Sequence, residues 1–135
     1  MIMQAPFRLR LDTLEIPVSN LDRSRDWYAS VFDLTPTWAD DLHCQLSSKN
    51  DLGLRFLLVA AGCEDRLAFQ NVATGVVHSF ADLEVDDLEG FHAALRAKGI
   101  TVPDLRDPEY DWAPKGFALQ DPDGNRFGIF SLKSD

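Results

Sequence analysis

Cysteine and basic side chains are both scarce in this sequence, and each scarcity excludes a class of protein. Cys44 and Cys63 stand outside any CxxC or metal-ligand spacing, so neither a disulfide framework nor a cysteine zinc site is predicted, and reduced thiols are expected. The 13 Lys and Arg residues are outnumbered by 22 Asp and Glu, giving a formal net charge of -9. Such an acidic chain is a poor partner for nucleic acid or an anionic membrane. At most, the charge hints at a cationic ligand.

Long apolar runs are absent as well. No stretch approaches the roughly 18 uninterrupted apolar residues of a membrane span, and the first residues lack the apolar region and cleavage site of a signal peptide. We therefore expect a cytoplasmic location. With 135 residues, 45% of them hydrophobic and 26% charged, the chain is predicted to form one globular domain over 1–135.

The order of predicted elements occurs twice along the chain. Each half shows a strand, a helix whose apolar residues recur every three or four positions, and three further short strands. The helix entries at Val18 and Val85 lie about half the chain length apart. The predicted strands are 9–18, 35–39, 43–48, 54–60, 77–85, 100–102, 115–119 and 126–132.

One such βαβββ module has a single helix for four strands, so it cannot cover both faces of its sheet. Two modules are therefore predicted to join, over about 7–62 and 77–133, with 63–76 as the linker. Ser19 or Asn20 is expected to cap the first helix, and Asp86 or Asp87 the second.

Three stretches in this order resemble the vicinal oxygen chelate (VOC) superfamily, which includes glyoxalase I, extradiol dioxygenases, fosfomycin-resistance enzymes and bleomycin-resistance proteins. They are 17–28 (PVSNLDRSRDWY), 85–99 with its VDDL entry, and 116–125 (GFALQDPDGN). The resemblance implies an α+β fold in which two βαβββ modules form a curled mixed sheet, a half-open barrel around a cavity, with the helices outside. It also implies a homodimer, in some members with exchanged modules.

Enzymes of this superfamily usually hold one divalent metal ion through His and Glu side chains, and the resemblance assigns the corresponding positions here. They fall on Thr13, Phe80 and Gly128, with a fourth near Arg55 or Leu57. A hydroxyl, a phenyl ring and a hydrogen atom cannot replace imidazole and carboxylate ligands. We therefore expect no metal cofactor, and no catalytic residue is predicted.

Strand alternation predicts which side chains would face the cavity instead. Trp38 and Trp112 would supply aromatic surface, although either could equally fill the core or cover the barrel mouth. Glu15 could form a buried pair with Arg55 rather than meet a ligand. The predicted ligand-binding residues are Thr13, Glu15, Trp38, His43, Arg55, Leu57, Phe80, Asp82, Trp112, Phe117, Gly128 and Phe130.

These features favour a metal-free small-molecule-binding protein of the glyoxalase/bleomycin-resistance type, which sequesters a hydrophobic or cationic ligand and forms a homodimer. The alternative is an enzyme: a metal-dependent lyase, isomerase or dioxygenase with displaced ligands for one divalent metal, or a metal-free catalyst with Glu15 or His43 as base. A third possibility is a structural or regulatory dimer whose cavity is filled. The nucleophile elbow, phosphate loop, dinucleotide fingerprint and HExxH motif are all missing from the sequence.

Overall fold

The computed structural model describes residues 6–49, 53–105 and 114–132 of the chain. This part contains two helices, α1 (Leu21–Phe32) and α2 (Leu88–Ala97). Its strands are β1 (Leu14–Val18), β2 (Thr35–Ala39), β3 (His43–Ser47), β4 (Arg55–Ala60), β5 (Ala68–Gln70), β6 (Val77–Ser79), β7 (Ala81–Glu84), β8 (Lys115–Gln120) and β9 (Arg126–Ser131).

The strands form two mixed sheets and one hairpin. The first sheet has the order β1-β4-β3-β2, in which β1 runs parallel to β4 and the other neighbours are antiparallel. The second has the order β7-β9-β8, with β7 parallel to β9, and β5 pairs with β6. Two helices and mixed sheets confirm the predicted α+β class. Within the described ranges, neither sheet closes on itself.

Helix α1 begins where the sequence predicts. The Asn20 side chain accepts a hydrogen bond from the Arg23 N–H at 3.0 Å, which satisfies one of the amides that a helix start leaves free. Ser24, Tyr28 and Val31 follow at helical spacing and are all buried, since this stripe packs against β3 and β4. The opposite side of the helix is left to solvent.

Helix α2 is capped by Asp87, whose side chain accepts from the Gly90 N–H at 3.0 Å. The chain leaves this helix through Gly99, whose φ of +79° is a conformation that glycine adopts without strain. His92 is buried on the inner side of α2, where its Nε2 lies 2.7 Å from the carbonyl oxygen of Pro103. It therefore contributes to packing rather than to a site.

One aromatic cluster links the two halves of the chain. Phe127 on β9 is completely buried and contacts Tyr28 and Phe32 of α1, Phe56 of β4, and Phe80. The ring centroids of these pairs lie 4.9 to 6.1 Å apart, the range in which aromatic pairs are attractive. The hydrophobic core is therefore continuous from the first sheet to the second.

A buried polar network at the turn after β8 adds a second link. Asp121 accepts hydrogen bonds from the Tyr28 hydroxyl (2.6 Å) and from the side-chain amide of Asn125 (2.6 Å). The side-chain amide of Asn125 also donates to the Pro17 carbonyl at 2.8 Å. Its side-chain oxygen, Oδ1, accepts a hydrogen bond from the Leu67 N–H at 2.7 Å. The turn thereby joins β1, α1 and the segment before β5.

Two strand predictions in the first part of each module need correction. The strand predicted over 9–18 starts only at Leu14, because β4 begins at Arg55 and residues 9–12 lie beyond the end of that ladder. The strand predicted over 77–85 is interrupted at Phe80, where the chain passes from the hairpin strand β6 to β7.

The connection between the halves and the segment after α2 also differ from expectation. The predicted linker 63–76 contains β5, which pairs with β6. Residues 100–105 carry no strand, and Pro103 within them lacks the N–H that a ladder requires. No helix within the described ranges combines the length and the apolar character that a membrane crossing demands.

Candidate ligand-binding site

Each sheet packs its helix on one face and leaves the other face open. In the first sheet Phe56 and Leu58 point to the helix side and are completely buried. The register places Glu15, Leu57 and Gln45 side by side on the opposite face. A β-bulge then brings Trp38 opposite Gln45. We call the surface made by Glu15, Leu57, Gln45 and Trp38 the first open face.

Arg55 on this face is already neutralised. Its guanidinium lies 3.1 Å from both carboxylate oxygens of Asp12. The pKa of Asp12 lies below its usual range. The largest cause is the hydrogen bond from the Thr13 hydroxyl, and the positive charges of Arg55 and Arg10 act in the same direction. The Glu15–Arg55 pair considered from the sequence does not form.

The reason is the strand register, which puts Glu15 opposite Leu57, whereas Asp12 precedes the strand and reaches back to the guanidinium. Thr13 accordingly supports Asp12, its hydroxyl donating to Oδ2 at 2.6 Å.

The second sheet carries its own open face, built around Gly128. Gly128 lies between Asp82 on β7 and Ala118 on β8. In the next row, Phe130 lies between Glu84 and Gly116. We call the surface made by these six residues the second open face.

Gly128 is small for a specific reason. A Cβ at this position would collide with Oδ1 of Asp82, so the carboxylate occupies the space that a side chain would take. Gly128, which stands at one of the superfamily's metal-ligand positions, thus leaves the space that the Asp82 carboxylate occupies. The contact between Asp82 and Gly128 depends on the β7–β9 register, since the two residues are 46 positions apart in the sequence.

A cavity of about 330 Å³ lies on this face, with Asp82, Phe117, Gly128, Ile129 and Phe130 among its walls. We call it the Gly128 hollow. Most of its described walls are apolar, and Asp82 is the one charged residue among them. The Asp82 side chain has no hydrogen-bond or ion-pair partner in the described part of the chain, so a carboxylate remains available to a ligand.

A narrower crevice of about 130 Å³ connects the two modules. Leu14 and Arg55 of the first sheet and Ala81 and Asp82 of the second are among its walls. Asp82 therefore borders both cavities.

Two of the predicted binding residues point elsewhere. Phe80 does not face the cavity, because the bend at this residue breaks the alternation and directs its ring onto Phe127, with centroids 4.9 Å apart. Phe117 is buried under α2, where its ring contacts His92 at 5.1 Å, so it forms the floor of the Gly128 hollow rather than an open surface. Trp112 lies outside the described residues.

Trp38 and His43 are separated from this centre. They lie on β2 and β3, and β2 is three strand spacings from β1, about 14 Å at the usual separation. Their rings are 5.9 Å apart and Trp38 is 51% exposed. The structure therefore brings together Asp82, Gly128 and Phe130, with Phe117 beneath them, and leaves Trp38 and His43 at the far edge of the first sheet.

His43 belongs to a different, polar cavity of about 450 Å³ beside the start of α1. Its Nδ1 lies 2.9 Å from Oδ1 of Asp40. The pKa of Asp40 lies below its usual range. The hydrogen bond from the Leu42 backbone N–H is the larger cause, and the hydrogen bond from the His43 side chain is the next. An ionised Asp40 thus orients the imidazole of His43, which is the arrangement that a histidine base uses.

The residues at the superfamily's metal positions do not fit a metal ion. The Thr13 hydroxyl is engaged by Asp12, the Phe80 ring lies against the core, and Gly128 has no side chain. Within the described residues there is no group of three or more His, Cys, Asp or Glu side chains arranged to hold a metal.

Two mixed sheets that carry helices on one face and cavities on the other define a class of small α+β proteins that use a curved sheet as a binding surface. The chain belongs to the Glyoxalase/Bleomycin resistance protein/Dioxygenase superfamily, whose family model matches residues 10–129. This confirms the resemblance seen in the sequence. No curated protein matches the chain in sequence.

Solved structures share the fold at low sequence identity. A genomically encoded fosfomycin resistance protein from Listeria monocytogenes has a TM-score of 0.70 at 10% identity, covering 94% of this chain and 96% of its own. An antibiotic binding protein from Streptomyces sp. CB03234 has a TM-score of 0.67 at 17% identity, covering 96% and 100%. A lactoylglutathione lyase from Agrobacterium tumefaciens has a TM-score of 0.67 at 16% identity, covering 95% and 96%.

Proposed function

We propose that this protein binds a hydrophobic or cationic small molecule in the Gly128 hollow, without a metal ion and without changing it chemically. The observation that carries the proposal is the Asp82 carboxylate, which lies over Gly128 at the wall of an apolar cavity with no partner in the described residues. An amine of the ligand would neutralise this charge, and the apolar walls would bury its hydrocarbon part.

Phe130 supports the same ligand class. It shares a face with Asp82 and Glu84, so a cation held by a carboxylate would also lie near an aromatic ring. A ring face and a carboxylate attract a positive charge additively, and the attraction increases as water is excluded. An antibiotic with a basic and an aromatic part is one molecule of this class, consistent with the antibiotic-binding relative of similar fold.

The metal-free part of the proposal rests on the donor groups. Thr13, Phe80 and Gly128 supply neither imidazole nor carboxylate at the superfamily's positions, and a divalent ion of this chemistry needs three or more such ligands. A binding protein requires only charge and apolar surface, both of which the second open face offers.

We extend the proposal to a homodimer. Phe7, Leu9 and Leu11, which alternate with two arginines, are 81%, 98% and 76% exposed in the single chain. Several large apolar side chains exposed in one short segment support an interface with another chain. Light scattering on the purified protein would report a mass of one chain if the proposal of a dimer is wrong. The cytoplasmic location remains a prediction.

The binding proposal is tested with a matched pair of probes, 2-naphthylmethylammonium and the neutral 2-naphthylmethanol, by isothermal titration calorimetry. We expect the cation to bind more tightly than the alcohol, and Asp82→Asn to reduce the affinity for the cation about tenfold, the usual effect of losing one charge-assisted contact. Asp86→Asn, an exposed acid outside the hollow, is the control. Equal affinity for both probes in every variant would remove the proposed role of Asp82.

An enzyme is the second candidate, and the His43–Asp40 pair is the observation that favours it. An imidazole oriented by a carboxylate could act as a general base toward a substrate in the polar cavity. Elemental analysis of the purified protein separates the candidates, since stoichiometric zinc, nickel, manganese or iron would favour the metal-dependent lyase, isomerase or dioxygenase. Turnover that is lost in His43→Gln in the absence of metal would favour a metal-free catalyst.

A further inference from the structure

The same face of β9 also carries an arginine that has no counter-charge among the described residues. Arg126 begins β9, and its side chain points away from the core because the next residue, Phe127, is the one that is buried. The backbone is held on both sides: its N–H donates to Leu67 at 3.0 Å and its carbonyl accepts from Phe80 at 3.1 Å. The strand therefore fixes the face of the sheet from which this side chain emerges.

Most of the other described arginines are paired with an acid. Five of them form ion pairs with aspartates: Arg10, Arg23, Arg25, Arg55 and Arg96. Arg126 has no ion pair with any described residue although it is half-buried, and its Nε is shielded from solvent without an acceptor. A half-buried charge that the protein does not neutralise is unfavourable unless a ligand supplies the opposite charge.

A cavity of about 340 Å³ lies beside Arg126, and Thr101, Pro103, Ala118 and Gln120 form its other walls. Gln120 stands directly opposite Arg126 in the β8–β9 register. The hydroxyl of Thr101 and the amide of Gln120 have no side-chain partner in the described residues. Donors from three side chains thus border one cavity, and none of the described residues that line it carries a carboxylate.

This cavity adjoins the Gly128 hollow. Ala118 is a wall of both, and Arg126 and Gly128 lie two residues apart on the same face of β9, a separation of about 7 Å along the strand. One small molecule could therefore reach both the guanidinium of Arg126 and the carboxylate of Asp82.

We propose that the cavity beside Arg126 is an anion subsite that binds the carboxylate of the ligand whose apolar or cationic part occupies the Gly128 hollow. The inference rests on the proposed function, since it uses the same open face, and it adds that the ligand is an organic acid or an amphoteric molecule. The planar guanidinium offers parallel N–H donors that match a carboxylate, whereas an ammonium would bind as a point charge.

The test follows the Arg Nε–H resonances of the ¹⁵N-labelled protein during titration with sodium benzoate, with sodium phosphate, and with sodium chloride at matched ionic strength. The Arg126 resonance is identified by its loss in Arg126→Lys. We expect a saturable shift of this resonance with benzoate. Isothermal titration calorimetry should show an affinity for benzoate at least about tenfold lower in Arg126→Gln, which lacks the resonance. Arg66, an exposed arginine without an ion pair that does not border this cavity, should respond only to ionic strength.

Several results would overturn the proposed subsite. The first three are no saturable shift with benzoate, an equal shift at Arg66, and saturation with phosphate alone. The last of these would exclude a carboxylate as the ligand group. A fourth is benzoate binding that appears only after Asp107, Glu109 and Asp111 are all neutralised, because the chain's own acids would then be the occupant. Failure of the proposed function is distinguishable, because Asp82→Asn should abolish the preference for the naphthyl cation and leave benzoate binding unchanged.

Discussion

The hydroxyl of Tyr28 donates a 2.6 Å hydrogen bond to Asp121, a residue 93 positions further along the chain. Both side chains are buried, at 0% and 5% exposure. Burial, and then the negative charge of Asp121, raises the pKa of Tyr28, so the phenol keeps its proton and remains a donor. The bond connects the first helix to the turn between the last two strands.

Replacing Tyr28 by Phe should therefore be costly. The ring and its aromatic contacts remain, but the carboxylate of Asp121 loses one of its buried donors. We expect the free energy of unfolding to fall by about 1.5 to 3 kcal/mol, the usual value for a hydrogen bond to a charged group. Urea denaturation followed by circular dichroism measures it. A loss below about 0.5 kcal/mol would show that the remaining donors, from Asn125 and the Asp123 N–H, satisfy Asp121 without the phenol.

Ser24 provides the opposite case on the same helix. Its hydroxyl is completely buried and has no hydrogen-bond partner in the part of the chain that the structure describes. Ser24→Ala therefore removes an unsatisfied polar group and improves helix propensity. We expect the protein to become more stable by up to about 1 kcal/mol in the same urea experiment. A destabilised variant would mean that a hydrogen bond to this hydroxyl exists in solution.

The acid sensitivity of the fold should depend on Asp123. Burial alone would raise the pKa of this carboxyl, but hydrogen bonds from Ser19 and the charge of Arg23 outweigh it and hold the pKa below its usual range. A carboxyl whose pKa is lowered by folding stabilises the protein above its unfolded pKa of about 3.9. That contribution is lost as the pH falls through the lower folded value.

Asp123→Asn should accordingly lower the stability at pH 6, by about 1 to 2 kcal/mol, and the difference from the natural protein should shrink as the pH falls below about 4. Urea midpoints at several pH values measure this difference. Asp12 and Asp40, whose pKa values are also lowered, are unaffected by the substitution. A difference that is constant with pH would indicate that the charge of Asp123 has no part in it.

Gly128 can be tested through its contact with Asp82. Gly128→Ala should displace the carboxylate, weaken binding of the naphthyl cation, and lower the stability by about 1 to 3 kcal/mol, the typical cost of overpacking. Gly62→Ala is the control, because the nearest atom to a Cβ there is 3.8 Å away, on Asp65.

The cost of Gly128→Ala should be smaller in a background that already carries Asp82→Ala, since the colliding atoms are then gone. Equal costs in both backgrounds would refute the proposed contact between the two residues, which a double-mutant cycle measures directly.

The parts of the fold that depend on local chemistry could be predicted from the sequence. Asn20 and Asp87 cap their helices because each accepts from an amide three residues later, a relation visible in the sequence. Strand alternation likewise places Asp82 and Gly128 on the face of the sheet opposite to Leu83 and Ile129, which lie in the next row of the register. These features depend on neighbours along the chain and need no knowledge of the tertiary structure.

The remaining features depend on which strands meet. The sequence predicts that Phe80 faces the cavity because it predicts one uninterrupted strand over 77–85. In the structure the strand changes its pairing partner at Phe80, and this change turns the ring toward Phe127. The pairing of Arg55 with Asp12 depends on how the chain enters β1. The role proposed for Arg126 could not be predicted from the sequence, because only the structure shows that this arginine has no ion pair among the described residues.

The turn at residues 121–125 has a consequence for folding. Since it supplies the buried acceptor for Tyr28 and a donor to Pro17, a fragment ending before it would leave the first helix with an unsatisfied phenol and an uncovered aromatic surface. Although the chain is built as a repeat, we expect it to denature in a single cooperative transition, and neither half to be self-sufficient.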